Sequence, residues 1–235
     1  GSLYFEYLPT GTNVRVDDNS EEVAASLMKI PATMELYKAY ELGRVDIDKK
    51  IPLEESWLDD KFGELYKKGA GYELTLREAA EIALKDSDNT AIAMVIAKSR
   101  DKLELAENSL TYLDVEFSRP DLDTLTIGAR AYSSFLKCLY FSCYLTTDNS
   151  QEILSYLTES SFSNRLAAGI PSGIKVAHKI GTFSDTQSDC GIVYEPARNY
   201  VLCVMLDVED TNAGNAHIAA ISKFTYDFVH SSSTK

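Results

Sequence analysis

Three histidines, one tryptophan, six prolines and four cysteines are few for a chain of 235 residues, and each scarcity excludes something. The cysteines, Cys138, Cys143, Cys190 and Cys203, show no Cys-x-x-Cys spacing, and the histidines, His178, His217 and His230, are scattered. This argues against a zinc site, and no metal or other cofactor is expected. No run of about 18 apolar residues occurs, so no membrane span is expected. Nor is a cleavable signal peptide visible. Gly1-Ser2 reads as a cloning remnant ahead of a strand that starts at Leu3, so an export signal or membrane anchor would lie upstream. Positive charge is also short: 23 Lys and Arg against 36 Asp and Glu leave a net charge of −13. That argues against nucleic acid as a partner and against docking on an anionic membrane face. The acidity reads as a solvated surface.

With 45% hydrophobic and 25% charged residues, the composition is that of a soluble globular protein. Tyr4–Leu8 and Val14–Val16 read as strands around a Gly11-Thr-Asn13 turn. A helix is predicted from about Ala25 to Leu42, stopped by Gly43, with Pro31 distorting its start. The stretch around Trp57 is irregular. Thr75-Leu-Arg-Glu78 is a capping box that opens a helix to about Lys85. Further helical patterns run over residues 90–98, 126–144 and 150–158. Then the pattern turns to strands at Lys175–Gly181, Gly191–Tyr194 and Tyr200–Leu206, with a closing helix from Ala216 to His230 and a frayed tail from Ser231 to Thr234. The economical reading is an α+β fold: an antiparallel sheet built from both chain ends, with a helical insert between. Turning the last hairpin at Ala197-Arg198 places Cys190 nearly opposite Cys203, within bridging reach. Buried free cysteines are also common, and two reduced core thiols are the favoured reading.

Three short patterns carry chemistry. In Ser26-Leu-Met-Lys29 the helical i, i+3 spacing puts a hydroxyl and an amine on one face. A serine is a poor nucleophile until a base takes its proton, and a lysine whose pKa is lowered by burial can be that base. Ser26 would also sit at a helix N-terminus, which favours developing negative charge. Alone this means little, since ordinary usage yields roughly one Ser-x-x-Lys per chain of this length. Ser87-Asp88-Asn89 is rarer, expected in about one such chain in twenty-five, although it also serves as a helix cap. Lys179-Ile-Gly181-Thr182 ends a predicted strand. There the glycine admits a second backbone, and Lys179 offers a compact cation for a substrate carboxylate.

In that order the three resemble the S-x-x-K, S-D-N and K-T-G set of class A β-lactamases and penicillin-binding proteins. The flanking stretches Ala24–Pro31, Leu74–Ala91 and Arg165–Thr182 resemble that family too, and so does the spacing between the first two motifs. The resemblance implies one β-lactamase/transpeptidase-like catalytic domain over 1–235, with an α/β lobe of 1–24 plus 166–235 and a helical lobe of 25–165. It implies a serine hydrolase acting on a β-lactam or a D-alanyl-type peptidoglycan stem peptide, working outside the cytoplasm. Ser26 would be the nucleophile and Lys29 the base, alone or with Ser87. Ser87 would relay a proton to the leaving nitrogen. Asn89 would bind the substrate's side-chain amide, and Lys179 its carboxylate. The backbone N–H groups of Ser26 and Thr182 would form the oxyanion hole, and the strand beyond Gly181 would pair with substrate backbone.

Two departures matter. Ile180 stands where the family has Thr or Ser. In the loop that carries the class A deacylating glutamate, this chain has Arg119-Pro-Asp-Leu-Asp123, shortened, with Arg119 in the glutamate's place. Glu116, Asp121 and Asp123 have no evident role, and His178 reads as a packed or solvated residue. Acylation thus has its groups and hydrolysis of the acyl-enzyme lacks one, which implies slow deacylation. The rival is a penicillin-binding or sensor module without turnover; an inert scaffold is disfavoured because the polar set survives.

Overall fold

A computed structural model of the chain describes residues 1–118 and 124–232. The chain divides into two compact units, one of residues 1–27, 115–137 and 162–235, the other of residues 28–114 and 138–161. Relative to the expected lobes, residues 25–27, 115–137 and 162–165 fall with the sheet.

The first unit is built on the strands β1 (Ser2–Tyr7), β2 (Thr12–Val16), β7 (Val176–Phe183), β8 (Thr186–Val193) and β9 (Tyr200–Asp207). They form one antiparallel five-stranded sheet in the order β2-β1-β9-β8-β7. Both chain ends therefore contribute, as expected of the α+β class. A two-residue ladder, β3 (Glu22–Val23) against β6 (Thr126–Ile127), is added. Helix α7 (Thr211–Ser231) opens at an Asp210 cap that accepts from Asn212 and Ala213 N–H. It buries Ile218, Tyr226 and Val229 against Phe5, Tyr200 and Leu202 of the sheet. Gly169 is required here, because a Cβ would lie 2.4 Å from the Ala219 carbonyl oxygen of α7.

Strand β8 is buried at all eight positions, its polar half Thr186–Asp189 included. Sequence reading predicts only its apolar end. The Gln187 and Asp189 side chains are tolerable inside because buried Arg165 and His178 bond to them, and Arg165 also donates to the Ser188 carbonyl.

The second unit centres on α1 (Lys29–Glu41), which packs against α2 (Leu76–Lys85), α3 (Asn89–Ser99), the short α4 (Ser109–Leu113) and α6 (Thr147–Thr158). Pro31 does not interrupt α1. It lies in the first turn, where its missing N–H has no helical partner anyway. The capping box is present in both directions: Thr75 Oγ1 accepts from Glu78 N–H, and Glu78 accepts from Thr75 N–H. The unit is not wholly helical. β4 (Lys50–Pro52) pairs with β5 (Glu73–Thr75), a ladder too short for the alternation pattern to reveal. Helix α5 (Ala129–Phe141) belongs to the first unit up to residue 137.

The cysteine reading is corrected. Cys190 and Cys203 face each other across β8 and β9, as the hairpin turn predicted, but they are joined as a disulfide, as are Cys138 and Cys143. The pairing register, not the sequence count, decides this, since it brings the Cα atoms of Cys190 and Cys203 to 3.9 Å. Ser231 ends α7, and Ser233–Lys235 lie outside the described residues. No helix among the described residues is long and apolar enough to cross a membrane.

Candidate active site

Ser26 lies in a 3-10 turn, Ala25–Met28, that leads directly into α1 at Lys29. The turn begins at Ala25 with φ +45°, a left-handed conformation that costs a non-glycine residue about 1 kcal/mol or more. It is anchored from below. The buried Tyr132 hydroxyl donates to the Leu27 carbonyl at 3.0 Å, and Leu27 N–H donates to Ala24 O at 2.9 Å. Strand β7 presses on the same turn at Gly181, where a Cβ would stand 3.0 Å from Ala24 O and 3.1 Å from Leu27 Cγ. The expectation that this glycine admits another backbone is met, and that backbone is the one flanking Ser26.

Within the first unit the structure thus brings Ser26, Gly181 and their neighbours together. Lys179, two residues before Gly181 on β7, is fully buried, with its ammonium 5.6 Å from the centre of the Phe162 ring. Thr182 is held by its side chain: Oγ1 accepts from Arg165 at 2.7 Å. Arg165, to which sequence reading gives no role, organises this strand end. Its N–H donors reach Asn215 Oδ1, Gly181 O, Ser188 O, Thr182 Oγ1 and Gln187 Oε1. An arginine 3% exposed is stable only with such complete satisfaction. No local pattern marks it, because every partner is distant in sequence.

His178 points away from Lys179, as strand alternation requires. Its Nδ1 lies 2.9 Å from Asp189 Oδ1, and Asp189 Oδ2 accepts from Leu166 N–H at 3.0 Å. It is a packed histidine that ties β7 to β8. His217 and His230 lie on α7.

The second unit gathers Lys29, Ser87 and Asn89. Lys29, 4% exposed, donates from Nζ to Asn89 Oδ1 at 3.0 Å. Burial lowers the Lys29 pKa to about 8, against the partial opposition of the Asp88 and Asp59 carboxylates. Asp88 caps α3 by accepting from Ala91 N–H, and its other oxygen accepts from Glu64 and Leu65 N–H. The cap reading of Ser87-Asp88-Asn89 is therefore met, and the cap leaves Asn89 free to bond Lys29. Ser87 is 1% exposed with φ +58°, a second non-glycine in the left-handed region. Such strain persists only where the surroundings enforce it.

Asn89 is further fixed by two contacts that sequence reading missed. Its N–H donates to Phe62 O at 3.0 Å, and its Nδ2 donates to Asp59 Oδ1 at 3.3 Å. Both partners lie in the stretch read as irregular. Glu116 is exposed, and Arg119, Asp121 and Asp123 lie outside the described residues. Among the described residues no group of three or more His, Cys, Asp and Glu is arranged to hold a metal.

Chemically, the first unit offers a hydroxyl on a strained turn, and the second offers an amine largely relieved of its proton at mildly alkaline pH and an amide aligned by that amine. A family model described as the beta-lactamase enzyme family matches residues 1–229. No curated protein sequence matches the chain. Among solved structures, a point mutant of PBP-A, an acyl-enzyme complex with penicillin G, is 23% identical with a TM-score of 0.87, over 98% of this chain and 90% of that one. The β-lactamase of Sphaerobacter thermophilus DSM 20745 is 23% identical with a TM-score of 0.88, over 97% and 91%. An ancestral class A β-lactamase is 21% identical with a TM-score of 0.83, over 97% and 93%. The fold is shared along nearly the whole chain.

Proposed function

Because the chain belongs to the beta-lactamase enzyme family, and so is a β-lactamase-like serine hydrolase, we propose that Ser26 is acylated by β-lactams or D-alanyl-type cell-wall peptides and that the acyl-enzyme is released slowly. The observation that carries this reading is Lys29: an amine one helical turn after Ser26, lowered to a pKa of about 8 and aligned on Asn89. In the proposed reaction the Ser26 oxygen attacks the amide carbonyl carbon, and its proton passes to neutral Lys29. The negative charge on the carbonyl oxygen is met by the backbone N–H groups of Ser26 and Thr182, each such donor being worth about 3–4 kcal/mol in comparable sites. As the C–N bond breaks, Ser87 passes its proton to the leaving nitrogen and takes in its place the proton that Lys29 received from Ser26, which leaves an ester on Ser26 and a neutral Lys29. Asn89 Nδ2 donates to the acyl side-chain amide, and Lys179 attracts the substrate carboxylate.

Hydrolysis of the ester needs an activated water. Arg119 in place of the class A glutamate removes the usual activator, which supports acylation without rapid turnover. The same feature favours the second reading, a penicillin-binding sensor. A point mutant of PBP-A, of matching fold, is known as an acyl-enzyme with penicillin G. Two disulfides support a location outside the cytoplasm, where thiols stay oxidised. The test is labelling with a fluorescent penicillin, with intact-mass spectrometry, on the wild type and on Ser26→Ala. A stable adduct of one penicillin, absent from Ser26→Ala, is expected. Fast turnover without an adduct removes the slow-release reading, and labelling that survives Ser26→Ala removes the serine mechanism. A long-lived adduct with no measurable turnover selects the sensor.

A further inference from the structure

The loop before α2 places a carboxylate beside the amide that would read the acyl side chain. Asp59 is partly exposed, and its backbone is held at both ends by one hydroxyl: Asp59 N–H donates to Thr90 Oγ1 at 2.9 Å, and Thr90 Oγ1 donates to Asp59 O at 3.2 Å. Thr90 follows Asn89 in the first turn of α3, so the loop and the amide move as one piece. Asp59 Oδ1 accepts from Asn89 Nδ2 at 3.3 Å and from Lys61 N–H at 2.8 Å. No described residue bonds Asp59 Oδ2. Three residues on, Phe62 is 46% exposed on the same loop, and its carbonyl accepts from Asn89 N–H at 3.0 Å.

An amide –NH2 has two protons. One is spent on Asp59, and the other remains for a substrate carbonyl. Whatever group follows that carbonyl comes close to the Asp59 carboxylate that bonds the same amide, on a loop that also exposes Phe62. Of the nearby cations, the Lys29 ammonium donates to Asn89 Oδ1 and, being neutral only in part, offsets the Asp59 charge incompletely, and Lys61 is exposed on the loop. An anionic side chain is repelled there. A neutral one is accepted but forms no ion pair. An alkylammonium can lay its carbon chain on Phe62 and its charge on Asp59.

We propose that Asp59 determines acyl side-chain specificity, selecting substrates whose acyl group carries an ammonium close to the amide read by Asn89. This rests on the reading of Ser26 as the acylated nucleophile. For an ion pair at a partly exposed site, roughly a tenfold effect per charge step is expected, weakening with salt.

The experiment uses three penicillins that differ only at the α-carbon of a phenylacetyl side chain: hydrogen, ammonium or carboxylate. Second-order acylation rates are measured on the wild type, Asp59→Asn and Asp59→Lys. In the wild type the order is ammonium, hydrogen, carboxylate, in steps of about tenfold. Asp59→Asn compresses the three to within about twofold, and Asp59→Lys reverses the order. Equal rates for all three in the wild type, or an order unchanged in Asp59→Lys, overturns the proposal and leaves the acylation reading intact. If no penicillin labels Ser26, the acylation reading has failed instead. The same three ligands are then compared by calorimetric binding to Ser26→Ala, where an ammonium preference that is lost in the Ser26→Ala, Asp59→Asn double variant supports the Asp59 assignment and its absence overturns it.

Discussion

Acylation of Ser26 should follow the titration of Lys29, and the structure sets the scale. At a pKa of about 8, roughly a tenth of Lys29 is neutral at pH 7. An unburied lysine would be neutral to only about one part in 3,000. Burial therefore raises the population of competent base by about 300-fold, equivalent to about 3 kcal/mol. The rate constant for labelling by a penicillin, measured from pH 5.5 to 10, should rise about tenfold per unit below pH 7, bend near 8 and level off by about 9. Asp59 raises the Lys29 pKa, so Asp59→Asn should move the bend to lower pH. The same shift sets a stability slope. Between about 8 and 10.5 the unfolded chain holds a proton on Lys29 that the folded chain has released, so stability gains from this group as pH rises through that window. Below 8 the full penalty is present. A labelling rate flat from pH 6 to 9, or one that bends only above 10, would refute Lys29 as the base.

Three further outcomes test the scaffold. Gly181→Ala pushes a methyl to 3.0 Å from Ala24 O, and the turn bearing Ser26 must yield; labelling should fall at least tenfold, while urea denaturation shows a loss of only about 1–3 kcal/mol. Arg165→Lys keeps the charge but cannot bond five acceptors at once, so equilibrium unfolding should show a loss of about 3 kcal/mol or more. If this variant unfolds at the wild-type midpoint, the clamp is not structural. Thr75→Ala removes the α2 cap at a distance from the chemistry and should lower stability by about 1 kcal/mol with labelling unchanged.

Local chemistry was legible wherever the deciding partners lie within a few residues. The capping box at Thr75 and Glu78, the stop at Gly43, the strand pattern of β7 and β9, and the opposed Cys190 and Cys203 all follow from spacing, because helices and hairpins repeat on that scale. The polar half of β8 is the counter-example. Thr186-Gln-Ser-Asp189 is not part of the predicted strand, which starts at Gly191; these residues are a buried strand because Arg165 and His178 arrive from elsewhere to bond Gln187 and Asp189.

By itself, then, the amino-acid order determined the fold class and the elements that carry the motifs. Tertiary structure decided what each group's surroundings do to it. The lowered pKa of Lys29 needs burial, which is a property of everything packed around the side chain. The setting of Asn89 needs Asp59 and Phe62, about thirty residues away on a loop without periodicity. The disulfides needed a register, and Arg165 needed acceptors from separate stretches of chain. Desolvation and long-range hydrogen bonding depend on distances in space, and the order of residues along the chain does not encode them locally.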